Sequence, residues 1–502
     1  MEYQEEFDVV VVGFGAAGAN AAIAAHDAGA RVLLLEKLAA GGGNSALCAE
    51  AMTIPREVEG AVEYYRNLSF GTVDEEMVRA FAEAMAGMPE LLQRLDIPYE
   101  QTPRRYPFYR EFTSGGFDQF GVHLNGARGF QLLEQRVKER DIEIRYNVSA
   151  TSLIQRPGSR EVMGLKVGCQ DKHHEISIRA NRAVILTCGG YEYDSQMLAN
   201  HNFPGVTDYI FPWGTPGNTG DGVRMVAEAG AALWHMASIE WGRICARTPS
   251  REFGTVIGYY ELARLMAEKN YLFVNSAGTR FMAEDTRLTH RKEDMEFLEF
   301  DQSTGRHINL PAFMIFDERT RVVATEKAIA DNNERRKVLV GYADATGLYD
   351  WSVSYEKEIA NGWIIRADSL AELATKLGID ESGLQATLVR YNEGCAHQLD
   401  PDFGRNANGM EPVHSPPYYG VELGLSLVNT QGGPKRNAAS QVLDYRDQPV
   451  PRLYAAGELG SFFGFLYQGG SNYPEAWAFG QIAGQNAAAE TPLTRAGSQC
   501  LV

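Results

Sequence analysis

The sequence predicts an α/β fold in which a Rossmann-like dinucleotide-binding domain is built from two chain segments, with an α+β domain inserted between them. An apolar strand runs into a glycine-rich turn near the start of the 502-residue chain, and a second strand and glycine-rich turn follow near its end. The stretch between them has more charged and aromatic residues and longer predicted helices. We expect residues 1–235 and 426–502 to form the binding domain, and residues 236–425 to form an inserted domain that caps the substrate.

The first element is a strand that ends in a nucleotide-binding turn. Phe7–Val12 contains four consecutive valines, which is typical of a parallel strand buried on both faces. The turn that follows reads Gly13-Phe14-Gly15-Ala16-Ala17-Gly18. Gly13 permits a tight turn, Gly15 lets the backbone approach a pyrophosphate, and Gly18 lets the helix pack close to the strand. The helix that begins near Ala16 directs its amide dipoles at the phosphates.

An acidic residue stands at the distance that this motif requires. Glu36 closes the next apolar run, Val32–Leu35, and lies 18 residues after Gly18. An acid at this place bonds the ribose hydroxyls of a dinucleotide and disfavours the 2′-phosphate of NADP. A glycine motif alone is weak evidence, but strand, turn, helix and acid together predict nucleotide binding.

The remaining elements alternate between helix and strand up to about residue 235. Helices are predicted over residues 58–66, 74–95 and 128–140, and strands over 143–146, 150–155, 163–167 and 183–187. The inserted domain is predicted to contain a long helix over 369–396. A strand over 451–457 and an alanine-rich helix over 475–489, behind Pro474, complete the second segment. Lys435 and Arg436 are expected in solvent.

Composition argues against several classes of partner. The formal net charge of −18 disfavours nucleic acid and anionic membrane surfaces. The six cysteines are scattered and include no CxxC pair. We therefore expect no disulfide framework, no metal or iron–sulfur site, and a cytoplasmic location. No signal peptide is recognised, and no apolar stretch reaches the roughly 18 residues needed to cross a bilayer. Homo-oligomerisation is left open.

The chain contains a series of further short motifs. They are Gly13–Gly18 with Glu36, Gly41–Ser45, Thr187–Gly190, Gly217–Gly222, Val274-Asn275 with Arg280-Phe281 and Glu284, Tyr391–Cys395, Asn429–Gly433 and Leu453–Glu458. This order resembles the fumarate reductase/3-ketosteroid dehydrogenase superfamily of FAD enzymes over nearly the whole chain. The length and the opening turn are most similar to the 3-ketosteroid Δ4-dehydrogenase branch, whose members desaturate cyclic ketones.

The resemblance implies bound FAD and a set of residues that contact it. These residues are Gly13, Gly15, Ala16, Ala17, Gly18, Glu36, Lys37, Gly42, Gly43, Asn44, Ser45, Ala150, Cys188, Gly189, Asn218, Gly220, Asp221, Gly222, Gly457, Glu458, Ser471, Asn472 and Tyr473. Membrane-bound members attach FAD covalently through a histidine just before the second glycine stretch. The corresponding segment here, Lys37–Gly41, has no histidine, so FAD is expected to bind non-covalently.

Two departures from the fumarate reductase pattern concern the reaction. Soluble fumarate reductases carry a histidine where this chain has Asn429, and an arginine where it has Tyr467. Ketosteroid dehydrogenases carry a tyrosine at the latter position. The resemblance implies that Tyr467 removes a proton next to a ketone, or faces its carbonyl, while hydride leaves the neighbouring carbon for flavin N5. The amide of Gly470 would polarise the ketone. The alternative is a tyrosine that only packs against the flavin ring.

A second proton-handling position is ambiguous by one residue. The family places this group three or four residues after the acid Glu284, where this chain has Arg287 and Leu288. An arginine there could donate protons or bind a carboxylate, or it could be a surface residue. Arg243 stands where relatives have a histidine that faces the substrate. Tyr106, within residues 103–109, resembles a tyrosine-rich loop that lines the substrate pocket, although an exposed loop fits as well.

These features predict an FAD-dependent oxidoreductase that acts on CH–CH bonds next to a carbonyl. The substrate would be a cyclic ketone, either a 3-ketosteroid or a small oxo-cyclohexane carboxylate such as 4-oxocyclohexanecarboxylate. The nearest alternative is the reverse reaction, an ene-reductase that saturates an enone or enoate. Either direction requires an external electron acceptor or donor. A flavin-binding protein without substrate chemistry is the third interpretation.

Overall fold

The computed structural model describes residues 3–48, 51–104, 109–114, 117–124, 129–169, 172–212, 214–246, 271–284, 294–322, 352–406 and 410–494. Backbone contacts divide the chain into two compact units. Unit 1 comprises residues 1–204, 214–240 and 429–502, and unit 2 comprises residues 205–213 and 241–428. The sequence analysis placed the domain boundaries after residues 235 and 425. It did not assign the short segment 205–213 to the inserted domain.

The described residues form the following strands and helices. The strands are β1 (Glu5–Val12), β2 (Val32–Leu35), β3 (Ala51–Pro55), β4 (Glu100–Arg104), β5 (Gln119–His123), β6 (Glu143–Arg145), β7 (Val148–Gln155), β8 (Val162–Cys169), β9 (Lys172–Leu186), β10 (Ile210–Pro212), β11 (Leu233–Trp234), β12 (Ile239–Ala246), β13 (Leu272–Asn275), β14 (Phe300–Asp301), β15 (Arg306–His307), β16 (Ala312–Asp317), β17 (Ile365–Ala367), β18 (Tyr418–Thr430), β19 (Gly433–Pro434), β20 (Gln441–Leu443) and β21 (Pro449–Ala455). The helices are α1 (Ala16–Asp27), α2 (Gly43–Leu47), α3 (Val58–Leu68), α4 (Glu75–Ala86), α5 (Met88–Arg94), α6 (Gly129–Lys138), α7 (Ser195–His201), α8 (Asp221–Glu228), α9 (Asp294–Phe297), α10 (Glu356–Ala360), α11 (Leu370–Leu377), α12 (Glu381–His397) and α13 (Asn472–Ala489).

Unit 1 is organised by one mainly parallel sheet. Its order is β20-β21-β9-β1-β2-β6, and every pair from β21 to β6 is parallel. The valines of β1 and all four residues of β2 are buried, as expected for strands covered on both faces. Strands β7 and β8 extend β9 as an antiparallel pair, and β3, β5 and β4 form a separate sheet. The predicted α/β class is confirmed.

Both chain segments contribute to this sheet and to the helical layer beside it. Strand β21 pairs with β9 through the register Leu453↔Val184. Helix α13 packs against α1 at two glycines, Gly480 and Gly484. A Cβ atom at these positions would lie 2.5 and 2.3 Å from backbone oxygens of α1. Only glycine allows this approach, which fixes the second segment against the first.

Two predicted helices are each divided by a glycine. The helix predicted over residues 74–95 is two helices, α4 and α5, separated at Gly87, and Pro89 lies in the first turn of α5. The helix predicted over residues 369–396 ends first at Leu377, where Gly378 takes φ +70°. It restarts after Asp380, whose side chain accepts a hydrogen bond from the Gly383 N–H at 2.7 Å.

Unit 2 is an α+β unit with its own sheet and core. The sheet order is β10-β18-β16-β13, and β12 and β17 also pair with the long strand β18. Leu373 and Leu384 of helices α11 and α12 belong to the apolar cluster that covers this sheet. Among the described residues of the chain, no helix combines the length and the apolar character needed to cross a bilayer.

The arginine motif of the sequence analysis forms a buried ion network in unit 2. The Arg280 guanidinium donates to both carboxylate oxygens of Glu284 at 2.9 and 2.7 Å, and to Asp400 at 3.1 and 3.0 Å. Arg405 contacts the same Glu284 carboxylate at 3.3 Å. The network ties the chain after β13 to the segment after α12. It holds Glu284 in place, the acid that precedes the predicted proton-handling position by three or four residues.

Candidate active site

The glycine turn after β1 lies against the loop that follows β9. A Cβ atom at Gly13 would lie 2.3 Å from the Thr187 carbonyl oxygen, and one at Gly18 would lie 1.9 Å from the Gly13 oxygen. The Thr187 hydroxyl donates to the Gly13 carbonyl at 2.8 Å. Gly15 precedes the first residue of α1. The glycines therefore bring α1, β1 and β9 together as the motif predicts, with the helix N-terminus at the carboxyl edge of the sheet.

We expect Gly18→Ala to lower both stability and FAD content. Its Cβ atom would overlap backbone, which cannot move as a side chain can, so a loss of about 1–3 kcal/mol is expected. Gly87→Ala is the matched control, because its Cβ atom would meet nothing closer than 3.5 Å. Chemical unfolding and the flavin-to-protein absorbance ratio measure the two effects. Equal values for the two variants would contradict the close-packing role of Gly18.

The loop after β2 carries two predicted cofactor residues that are held in place. The Glu36 carboxylate accepts from the Phe14 N–H at 2.9 Å and from the Leu38 N–H at 2.8 Å. Lys37 Nζ lies 2.6 Å from an Asp221 carboxylate oxygen. Glu36 thus stands beside the glycine turn with its orientation fixed, and Lys37 links its loop to the start of α8.

The second glycine stretch, Gly41–Ser45, contacts the first turn of α1. Gly42 and Gly43 have φ +128° and +49°, which favour glycine. The Ser45 hydroxyl accepts a hydrogen bond from the Ala16 N–H at 2.9 Å. A Cβ atom at Gly15 would lie 3.3 Å from this hydroxyl oxygen. The absence of a side chain at Gly15 therefore leaves room between the two glycine segments at the N-terminus of α1.

The loops after β9 and before α8 approach closely through glycines. Gly189 has φ +70°, and a Cβ atom there would lie 2.2 Å from the Asn218 side-chain oxygen. A Cβ atom at Gly222 would lie 3.0 Å from Cys188 Cβ. Burial raises the pKa of the Cys188 thiol to about 12, so the thiol is protonated at neutral pH. The predicted residues of the two loops are thereby brought together.

A pair of carboxyl groups lies among these loops, and only one of them was predicted. Glu458, after β21, and Glu192, after β9, both accept from the side-chain amide of Asn44, at 3.1 and 3.2 Å. Both also accept from the Asn218 amide at 3.2 Å. Glu192 is 1% exposed. Four loops of unit 1 therefore meet at two acids and two amides.

Burial raises the pKa of both carboxyl groups in this pair. Contact with Glu192 raises that of Glu458 further, because two negative charges repel. The sequence analysis did not predict Glu192 as a site residue, because its partner Glu458 lies 266 positions away in the chain (458 minus 192). The available signal was an acid directly after the Thr187–Gly190 turn.

The phenol of Tyr467 lies at the N-terminus of α13. Its oxygen accepts hydrogen bonds from the Ser471 N–H at 2.9 Å and from the Asn472 N–H at 3.0 Å. The ring packs edge-on against Phe463 at 5.0 Å, and the residue is 7% exposed. Two N–H donors and the positive end of an 18-residue helix thus face one phenol oxygen.

Burial raises the pKa of the Tyr467 phenol above its ordinary value, and the charge of Glu240 raises it further. The N–H groups of Asn472 and Ser471 act in the opposite direction. Burial has the larger effect, so the resting group is a neutral phenol at neutral pH. This favours a Tyr467 that faces the substrate carbonyl over a resting phenolate base.

The segment between Tyr467 and α13 is clamped from three elements. The Thr53 N–H donates to the Gly470 carbonyl at 2.7 Å, and the Thr53 hydroxyl donates to the Gly469 carbonyl at 3.1 Å. The fully buried Gln468 accepts from the Tyr64 hydroxyl and donates to the Gln119 side chain at 3.1 Å. Both carbonyls are therefore turned toward β3. The N–H of Gly470 has no acceptor among the described residues.

Uncharged amides lie beside the start of α13. Asn429 accepts from the Asn472 side-chain amide at 3.1 Å, and Gln431 donates to the Asn472 side-chain oxygen at 3.4 Å. The side-chain oxygen of Gln431 and the hydroxyl of Ser471 are buried without a partner among the described residues. This cluster offers polar atoms to a ligand.

Arg436 corrects the expectation that residues 435 and 436 lie in solvent. It is 0% exposed, and its guanidinium pairs with the buried Glu475. It also donates to the carbonyls of Gly460 at 2.7 Å and Gly457 at 3.4 Å. Burial shifts both pKa values toward the neutral forms, down for Arg436 and up for Glu475. Arg436 was missed because its neighbours in sequence are polar loop residues.

The remaining predicted residues lie outside the contacts described above. Ala150 lies in β7 opposite Val167, and Tyr473 lies in the first turn of α13. Tyr106, Arg287 and Leu288 lie outside the described residues. Arg243 is in β12, and its side chain also lies outside what the structure describes.

The residues of unit 1 fit FAD. The space that a Cβ atom at Gly15 would fill lies at the start of α1, where a pyrophosphate meets backbone amides. Glu36 stands beside this turn, where an acid meets ribose hydroxyls. The unpartnered polar atoms of Ser471 and Gln431 lie by the start of α13, whose dipole favours negative charge on a flavin.

Comparisons with known proteins agree with this fit. A family model described as "FAD binding domain" matches residues 8–473. The chain is 28% identical to the urocanate reductase of Eggerthella lenta, covering 96% of this chain and 75% of that protein. It is 26% identical to a 3-oxosteroid 1-dehydrogenase of Mycobacterium tuberculosis, covering 95% and 98% of the two chains. It spans about half the length of some other curated relatives.

A solved structure shows the same fold. The 3-ketosteroid Δ1-dehydrogenase from Sterolibacterium denitrificans, in complex with 1,4-androstadiene-3,17-dione, matches with a TM-score of 0.78. The match covers 97% of this chain and 100% of that chain, at 22% sequence identity.

Proposed function

The chain belongs to the FAD-binding-domain family of flavin oxidoreductases, together with fumarate reductases and 3-oxosteroid dehydrogenases, and we propose that it desaturates a cyclic ketone. The family and the enzyme class are those predicted from the sequence. The reaction would introduce a C=C bond next to the carbonyl, with proton loss from one carbon and hydride loss from its neighbour. The substrate is a 3-ketosteroid or a small oxo-cyclohexane carboxylate.

The observation that carries the proposal is the position of the Tyr467 phenol at the start of α13. A neutral phenol can donate to a substrate carbonyl oxygen and polarise it. Its own oxygen accepts from Ser471 and Asn472 at 2.9 and 3.0 Å, so negative charge that develops there is met by two N–H donors. A ketone needs such a donor because its α-proton is acidic only when the carbonyl is polarised.

The neighbouring groups extend this arrangement. The Gly470 N–H, which has no acceptor among the described residues, is proposed as the second donor to the carbonyl oxygen. Asn429 stands where soluble fumarate reductases have a histidine and contacts Asn472, so this position carries an uncharged amide. Arg287 stays the candidate for the second proton-handling position, and Tyr106 stays a candidate for lining the substrate pocket. Bound FAD supplies the acceptor for the two electrons of the hydride.

We further propose that the predicted cofactor residues bind FAD and that FAD is non-covalent. The segment Lys37–Gly41 has no histidine to form the covalent link. Acid precipitation of the purified protein should leave the yellow colour in the supernatant. Flavin retained in the pellet would contradict the non-covalent proposal. We also propose a cytoplasmic location and an external electron acceptor.

The direct test is anaerobic mixing of the oxidised flavoprotein with saturated 3-ketosteroids and with 4-oxocyclohexanecarboxylate. We expect one of these ketones to bleach the visible flavin absorbance and to yield an unsaturated ketone in equal amount. Fumarate-class substrates serve as the counter-test, with dithionite-reduced enzyme mixed with enones, fumarate or urocanate. Reoxidation by these compounds, with no bleaching by any ketone, would replace the desaturase by an ene-reductase. The 28% identity to a urocanate reductase favours that second candidate.

A further inference from the structure

Glu192 is a buried acid that the resemblance does not account for. It follows the glycine turn after β9 and is 1% exposed. Its carboxyl group shares two side-chain amide donors, Asn44 and Asn218, with that of Glu458, which follows β21. Burying one carboxylate without a cation is costly, and burying two in contact is more so.

The structure shows how the pair is held. The Asn44 amide donates to Glu458 at 3.1 Å and to Glu192 at 3.2 Å, and the Asn218 amide donates to both at 3.2 Å. The other Glu192 oxygen, Oε2, is buried without a hydrogen-bond partner among the described residues. The amides therefore bridge the two acids but leave an unsatisfied carboxyl oxygen between the loops.

Neither carboxyl group belongs to an ion pair of the described residues. The charged side chains on the surrounding loops, Lys37 and Asp221, pair with each other at 2.6 Å. Tyr191 and Tyr193 flank Glu192 as neutral phenols, because burial raises the pKa of both. With no paired cation to balance two negative charges, a proton is the remaining means of doing so.

We propose that Glu192 is a positioning residue of the FAD site, which shares one proton with Glu458 and thereby keeps Glu458, Asn44 and Asn218 in the arrangement that binds FAD. Glu192 acts through these three residues, all of which were predicted to contact the cofactor. The role concerns the cofactor site of the family. It is independent of the substrate and of the direction of the reaction.

The sign of the pH dependence follows from the raised pKa of the pair. A carboxyl group whose pKa is raised in the folded arrangement stabilises that arrangement at low pH. This stabilisation is lost as pH rises through the raised pKa. Loss of the shared proton leaves two carboxylates in contact, which repel and separate the loops. FAD should therefore bind more weakly as pH rises, by at most about tenfold per pH unit for one proton.

The test compares apoprotein from wild type, Glu192→Gln and Glu228→Gln. The glutamine side chain introduced by Glu192→Gln has the same size and still forms hydrogen bonds, but it has no proton to lose. Glu228 is an exposed carboxylate at the end of α8 and serves as the matched control. The dissociation constant of FAD is measured from quenching of flavin fluorescence between about pH 5 and about pH 9. We expect it to rise with pH for wild type and for Glu228→Gln, and to stay flat for Glu192→Gln.

Parallel pH profiles for wild type and Glu192→Gln would overturn the proposal, as would a flat wild-type profile. Should Glu192→Gln fail to fold, or FAD prove inseparable, wild-type holoprotein gives the second measurement. Its infrared spectrum at neutral pH should contain the C=O stretch of a protonated carboxyl group, and this band should disappear when pH is raised. The thermal unfolding midpoint should fall over the same rise in pH. Absence of such a titrating band would overturn the shared proton. A failure of the ketone panel would leave these expectations unchanged.

Discussion

Replacing Tyr467 with Phe is expected to slow ketone-driven bleaching of the flavin by at least about 100-fold, the effect of losing one donor to an oxygen on which negative charge develops. The substitution removes the hydroxyl that accepts from the Ser471 and Asn472 N–H groups, but it keeps the ring against Phe463. The carbonyl of the substrate then loses a donor, while FAD binding and the fold are retained. Rapid mixing under anaerobic conditions measures the rate directly.

Tyr65→Phe is the matched control for this variant. Tyr65 is also fully buried in unit 1, its hydroxyl contacts the Met85 sulfur at 3.7 Å, and its ring, like that of Tyr467, packs edge-on against Phe463. We expect it to bleach at the wild-type rate. Because burial raises the pKa of Tyr467, the wild-type rate should show no loss from phenol ionisation at neutral pH. A Tyr467→Phe rate close to wild type would remove Tyr467 from the mechanism.

Arg436→Met is expected to destabilise the protein by about 3–5 kcal/mol, because it leaves the Glu475 carboxylate buried without its cation. The same change removes donors from the Gly457 and Gly460 carbonyls in the loop after β21. The deficit should shrink as pH falls, since burial raises the pKa of Glu475 and the protonated acid needs no cation. Urea unfolding at two pH values measures both effects.

The neighbouring residue supplies the control. Lys435 pairs with Asp447 at 2.6 Å at the surface, where such a pair contributes about 0–1 kcal/mol. Lys435→Met should therefore change stability little. Arg436→Met combined with Glu475→Leu should recover part of the loss, because no charge is then left unpaired. Equal unfolding free energies for Arg436→Met and Lys435→Met would show that the buried pair is not a stabilising unit.

The parts of the fold set by local patterns were predictable from sequence. The valines of β1, the turn from Gly13 to Gly18 and the acid Glu36 lie within one βαβ unit, where spacing along the chain fixes the geometry. The same holds for α13, whose first turn contains Pro474. The helix divisions at Gly87 and Gly378 were also visible as glycines. They were missed because apolar periodicity continues on both sides of each break.

The parts set by distant contacts were not predictable in this way. Glu192 meets Glu458 because β9 and β21, which are far apart in the chain, are neighbours in the sheet. Arg436, after β19, meets Glu475 of helix α13. A single sequence indicates burial of a charged residue only weakly, since Arg and Glu are mostly exposed. The orientation of Tyr467 depends on the backbone between it and α13, which Thr53 holds from a different segment.

The two-segment construction of unit 1 has a consequence for how the protein is made. Residues Val184–Leu186 of β9 form their pairs with β21, whose partners are not synthesised until more than 260 residues later (453 minus 184). At roughly 5–20 residues per second, a ribosome needs about 13–50 s to deliver them. During that time the nascent chain exposes an unpaired strand edge and the surface of α1 that α13 later covers, both of which invite aggregation. The cofactor pocket should therefore mature only after α13 has left the ribosome, with chaperone protection of the growing chain until then.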